Sequence, residues 1–108
     1  MTAQPATILR KTDRFAMAIP ARIKPFGATK SERVTMSDLS AVGCQLTPAL
    51  EYRAGGQLLV KLPGLDYRPA TIVWRRQDRL GIEFRTPLHP RSVETFARQV
   101  AEWAGQAA

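Results

Sequence analysis

At 108 residues and 12.0 kDa the chain holds one hydrophobic core, with no room for a second independent domain. Hydrophobic residues make up 44% of it, which excludes wholesale disorder, and no apolar run approaches the roughly 18–20 residues that cross a bilayer. The formal net charge of +7 points to an anionic partner: nucleic acid, a membrane surface, a nucleotide or an acidic protein face. The basic residues are 12 Arg against 4 Lys, and arginine gives planar, bidentate and stacking contacts of the kind that guanine O6 and N7 accept. Met1–Arg14 lacks the apolar stretch of a secretory signal, so a cytoplasmic location is expected. One Cys with one His cannot make a disulfide or a structural zinc site, and Cys44, alternating with Leu46, reads as a small buried hydrophobe.

In chain order, residues 1–8 carry no periodicity and read as a flexible leader to a domain spanning 9–108. A basic segment follows, Leu9-Arg10-Lys11-Thr12-Asp13-Arg14. Phe15, Met17, Ile19, Ala21 and Ile23 then alternate as in a half-buried strand, and residues 25–31 read as a turn. Val34 and Met36 open a second strand that runs into Asp38-Leu39-Ser40-Ala41-Val42-Gly43. Cys44 and Leu46, extending toward Leu50, form a third. Gly55-Gly56 is a turn before a strand on Leu58, Val60 and Leu62, which stops at Pro63-Gly64. Ala70, Ile72 and Trp74 define a fifth strand. Residues 76–79 are a polar hairpin tip, and Leu80, Ile82 and Phe84 form the return strand. Six short strands separated by turns predict a small closed antiparallel β-barrel over about 15–86. The period then changes. Val93, Phe96, Ala97, Val100 and Trp103 fall on one face of a helix over about 90–104, with Pro90 in its first turn.

Two elements stand out from this frame: Arg10-x-x-x-Arg14 before the first strand, and Asp38-x-Ser40-x-x-Gly43 after the second, 24 residues beyond Arg14. Each is common on its own. The arginines read equally as a solvated basic tail, the Asp and Ser as turn caps, and the Gly as the mark of a bulge. Together, each at a strand end of a small barrel, they resemble the two-part signature of PilZ domains, RxxxR followed by [D/N]xSxxG. Ala70-Thr71-Ile72-Val73-Trp74 and Leu80-Gly81-Ile82-Glu83-Phe84 are similar to the paired strands that close the PilZ barrel, so the resemblance covers roughly residues 9–103.

The resemblance implies an all-β, six-stranded split barrel with a C-terminal helix that binds cyclic di-GMP through Arg10, Arg14, Asp38, Ser40 and Gly43. The chemistry of those residue types agrees with it. Guanidiniums bond guanine O6/N7 or phosphate and stack on purines, and a carboxylate accepts from guanine N1–H and its amino group. A serine hydroxyl donates or accepts, and a glycine lets backbone and ligand approach closely. Further candidates are Leu9, Lys11, Trp74, Arg75 and Arg76. Trp74, on an alternating face, also reads as a core residue. Leu9 gives no polar contact, so whether the site takes one ligand or two depends on whether Lys11, Arg75 and Arg76 converge on it. Residues 1–14 are expected to be mobile alone and ordered with ligand.

No Walker loop, metal-ligand set or catalytic carboxylate pair is present, so the chain reads as a receptor rather than an enzyme, with no cofactor. A lone domain of this kind relays its state through an effector protein, in processes such as motility or biofilm formation, without membrane insertion. Two alternatives remain open. One is a nucleic-acid-binding small β-barrel, disfavoured because Phe15, Tyr67 and Trp74 are not grouped as a stacking platform. The other is a PilZ-like protein-docking adaptor that binds no nucleotide.

Overall fold

The two-residue alternation of apolar and polar side chains produces six strands, and the change to a helical period produces one helix. The computed structural model describes residues 18–107, with side chains through Gln99. Strands β1 (Ile19–Lys24), β2 (Glu32–Ser37), β3 (Gly43–Thr47), β4 (Gln57–Lys61), β5 (Arg68–Arg76) and β6 (Arg79–Phe84) precede α1 (Pro90–Ala107). All pairings are antiparallel and the sheet closes in the order β1-β2-β3-β6-β5-β4. Closure leaves none of the six strands as an edge.

Register carries the apolar set inward from strand to strand: Ile19 faces Met36, Met36 faces Leu46, Leu46 faces Leu80, and Ile82 lies between Cys44 and Ile72. These residues form one buried cluster, so the barrel interior is packed with side chains. Cys44 belongs to that cluster, as its alternation with Leu46 implies. Leu39 and Ala41 of the β2–β3 loop join it too, together with Leu88, Val93 and Phe96 from the chain around the start of α1. His89 precedes this helix and is exposed. Its Nδ1 accepts from the Arg91 N–H at 3.1 Å, which satisfies a donor left open at the helix start.

Several boundaries move from the sequence reading. The third strand ends at Thr47 rather than approaching Leu50, which has φ 54° in the turn beyond. Leu62 is buried just past the end of β4. The β5–β6 turn narrows to Gln77 and Asp78, because Arg76 and Arg79 pair with each other. The helix continues to Ala107. The leader 1–8, the segment with Leu9, Arg10, Lys11 and Arg14, and the strand positions Phe15 and Met17 lie outside the described residues, as do the side chains of Val100 and Trp103.

The largest correction concerns Trp74. The sequence alternation groups it with Ala70 and Ile72, but a β-bulge falls between Ile72 and Trp74. Ile72 pairs with Ile82 and Trp74 with the very next residue, Gly81, so Val73 is the extra residue and stands exposed. One inserted residue reverses the facing of everything after it. Trp74 therefore leaves the core for the outer wall, and Arg75, the register partner of Leu80, stays exposed at the barrel end.

Candidate functional site

The Asp38–Gly43 loop is built to hold its own shape. Ser40 is completely buried, and its Oγ accepts from the N–H groups of Val42 at 3.2 Å and Gly43 at 3.3 Å. The Ser40 N–H donates to the Gly43 carbonyl at 2.9 Å, and the same carbonyl lies 3.4 Å from Ser40 Oγ. The loop is tied outward as well: Phe84 N–H donates to the Val42 carbonyl and Leu88 N–H to the Ala41 carbonyl, both at 2.7 Å. Gly43 faces Glu83 across β3 and β6, and a Cβ there would collide with the Ile82 carbonyl oxygen. Ser40 and Gly43 thus hold the backbone of the loop in shape. Ser40, a ligand-contact candidate by its sequence motif, is fully enclosed in this structure.

What the loop positions is Asp38. Its backbone sits at φ 52°, a left-handed conformation that Asp tolerates better than most residues. Its side chain, half-buried, accepts from Gln45 Nε2 at 3.1 Å. Gln45 Oε1 in turn accepts from Arg79 Nη1 at 3.2 Å. The chain Arg79–Gln45–Asp38 therefore crosses the outer wall from the hairpin end to the loop, with an arginine at one end and a carboxylate at the other.

Trp74 completes this wall. Ser37, Gln45, Gly81 and Trp74 occupy one outward row across β2, β3, β6 and β5. A Cβ on Gly81 would overlap the indole, so the missing side chain lets Trp74 lie across β6. The Arg76 guanidinium is 5.0 Å from the Trp74 ring centroid, within cation–π range. Two adjoining concavities share Gln45 and Trp74. One is lined also by Asp38, Val73 and Gly81, the other by Arg76, Asp78 and Arg79.

The structure thus brings Asp38, Trp74 and Arg76 to one face, with Ser40 and Gly43 beneath it. It does not bring Arg75. That guanidinium donates to the Leu50 carbonyl at 2.6 Å and the Tyr52 carbonyl at 2.8 Å, and its Nε to the Gln77 carbonyl at 3.1 Å. The bulge turns it to the barrel end, where it ties three carbonyls. Arg10, Arg14, Leu9 and Lys11 lie outside the described residues. Sequence reasoning passed over Gln45 and Val73 and left Arg79 in a solvated tip. The one available signal was Gly81, since a glycine inside a strand pattern marks a close approach.

Donor set and surface define a class. This is a small closed barrel whose interior is filled and whose outer wall brings a carboxylate, an indole and two guanidiniums together. Among the described residues no group of His, Cys, Asp and Glu could hold a metal ion, and no helix is long and apolar enough to cross a membrane. No curated protein matches the chain. Its match is to a family: residues 8–102 fit the PilZ domain, and the chain belongs to the PilZ domain family. PilZ is a family of cyclic di-GMP receptor domains, which bind rather than catalyse.

Proposed function

We propose that this protein is a cyclic di-GMP receptor that binds its ligand on the outer wall of β3, β6 and β5 and passes the signal to an effector protein. The observation that carries this reading is the Asp38–Gln45–Arg79 chain beside Trp74 and Arg76, at the D-x-S-x-x-G loop of a PilZ domain. Asp38 supplies the acceptor for a guanine N1–H and amino group. Trp74 supplies a flat face for a purine, and Arg76 and Arg79 supply charge for phosphate or guanine O6/N7. Arg10 and Arg14 complete the site from the segment before β1, as the signature implies.

We infer one ligand per chain: two dianions side by side need compensating charge, and of the three candidates Arg75 is committed to backbone carbonyls at the barrel end and Lys11 lies outside the described residues, which leaves Arg76 as the one candidate beside the site. Calorimetric titration of the purified chain with cyclic di-GMP, with GTP and cyclic AMP as controls, tests the reading. Saturable heat with cyclic di-GMP alone, at one-to-one stoichiometry, is the expected result. No heat and no thermal shift at saturating ligand would rule the receptor role out.

A further inference from the structure

Arg33, Arg22 and Lys61 stand side by side across β2, β1 and β4. Arg22 is the direct register partner of both others, so three cations share one outward row. Directly opposed residues on one face hold their Cβ atoms about 4.5–5.5 Å apart, and like charges so placed repel. No acidic residue lines the groove over this row, which is formed by Pro20, Ala21, Arg22, Arg33, Lys61, Leu62 and Pro63. Glu32 adjoins Arg33 in sequence, but it lines a different concavity beside Leu50 and Tyr52. Arg22 spends its hydrogen bonds on neutral groups, the Ser31 hydroxyl at 2.7 Å and the Ser31 carbonyl at 3.5 Å.

The usual structural uses of such cations do not apply. Lysine and arginine commonly guard a sheet edge against pairing with another chain. Here the barrel is closed and β1 is paired on both sides, so there is no edge to guard. Arg22 and Arg33 are exposed and satisfy nothing in the core. The repulsion is a standing cost of the fold that a single neutral residue at position 22 would relieve.

Around the closed order, β1 lies three strands from β6 in either direction. The centre of the row, Arg22, therefore lies across the barrel from Gly81 and β6, while Arg33 shares β2 with the strand end that leads into Asp38. We propose that the Arg33–Arg22–Lys61 row is a docking site for an acidic peptide segment of a partner protein. Charge complementarity identifies the sign of the occupant. The flanking prolines, Pro20 and Pro63, offer apolar contact to a polypeptide, while no aromatic lines the groove on which a nucleic-acid base could stack. The groove shares no lining residue with the concavities beside Trp74, so either reading can fail without the other.

The test uses the full chain and a fluorescein-labelled peptide of six Ala-Glu repeats, read by fluorescence polarisation at low salt. A twelve-nucleotide single-stranded DNA is the competing probe. The wild type should bind the peptide, and Arg22→Glu should weaken that binding at least tenfold while leaving the cyclic di-GMP titration unchanged. Arg76→Ala, beside Trp74, should leave peptide binding as it was. Arg22→Gln should raise the melting temperature, by roughly 1–5 °C, because it removes the central repelling charge. Absence of peptide binding, wild-type affinity in Arg22→Glu, or loss of DNA binding alone in that variant would overturn the proposal. A lower melting temperature in Arg22→Gln would do so as well, by making the row a structural feature.

Discussion

Gly81→Ala separates the binding wall from the fold beneath it. An alanine methyl at position 81 would enter the space occupied by the Trp74 indole, whose atoms belong to a side chain at the barrel surface. The ring can swing away without moving either strand, so the barrel should persist. The contrast is Gly43→Ala, whose methyl would meet the Ile82 carbonyl oxygen, a backbone atom held in the β3–β6 ladder. There the strands themselves must part, and a loss of about 1–3 kcal/mol or more is expected. For Gly81→Ala the loss should fall on the ligand. A base stacked on an aromatic contributes about 1–3 kcal/mol, so displacing the indole should weaken cyclic di-GMP binding roughly 5- to 150-fold. Calorimetry gives the affinity. Tryptophan emission in a Trp103→Phe background reports the Trp74 environment alone, since the chain has two tryptophans. A shifted emission, a near-native melting curve and weakened binding are expected together. Unchanged emission with full affinity would refute the placement of Trp74 over Gly81 and its role in the site.

Three further outcomes follow. Ser40→Ala leaves the Val42 and Gly43 N–H groups without their shared acceptor inside the loop, and should lower stability by about 1–3 kcal/mol in thermal melts; a melting curve equal to wild type would contradict the loop-staple role. Arg14→Ala and Arg10→Ala, which remove one charge-assisted contact each, should weaken cyclic di-GMP binding by about 1.5–3 kcal/mol with the melting curve preserved, and retained affinity in either would remove that arginine from the site. Burial, with a smaller contribution from the nearby Glu32 charge, raises the Tyr52 pKa above its ordinary 10.0. The folded state then keeps a proton that the unfolded state loses, so this contribution is intact below pH 10 and declines as pH rises through the folded pKa. Tyr52→Phe should flatten that alkaline decline without destabilising the protein at neutral pH, because the Tyr52 hydroxyl is buried with no partner among the described residues. Chemical denaturation at pH 8 and pH 11 compares the two slopes.

The elements were legible in the sequence because each has a local physical cause. Alternation such as Ile19-x-Ala21-x-Ile23 or Leu80-x-Ile82-x-Phe84 buries one face of a strand, and the spacing of Val93 and Phe96 buries one face of a helix. Those periods, with turn residues between them, sufficed for a six-stranded barrel with a terminal helix. Asp38-x-Ser40-x-x-Gly43 was legible as a unit, because the two residues beneath Asp38 work within five positions of it: a hydroxyl that collects two nearby N–H groups, and a glycine that meets its neighbouring strand.

The division of labour inside the site was not legible. That Ser40 is completely buried and spends its hydroxyl on the loop backbone is a property of the folded loop, whose neighbours Leu39, Ala41 and Leu88 join the core. The wall that Asp38 joins depends on a bulge. Simple alternation assigns Trp74 to the core, and the extra residue Val73 moves it to the outer wall. A bulge exists only as a mismatch in length between two paired strands, so no pattern within β5 alone contains it. The Arg33–Arg22–Lys61 row has the same character. Its members are separated by 11 and 39 positions along the chain, counting from Arg22, and only the register of β1 with β2 and β4 makes them neighbours. Periodicity is a property of one segment and was present in the sequence; the facing of residues across strands is a property of pairs of segments, and closure of the barrel decided it.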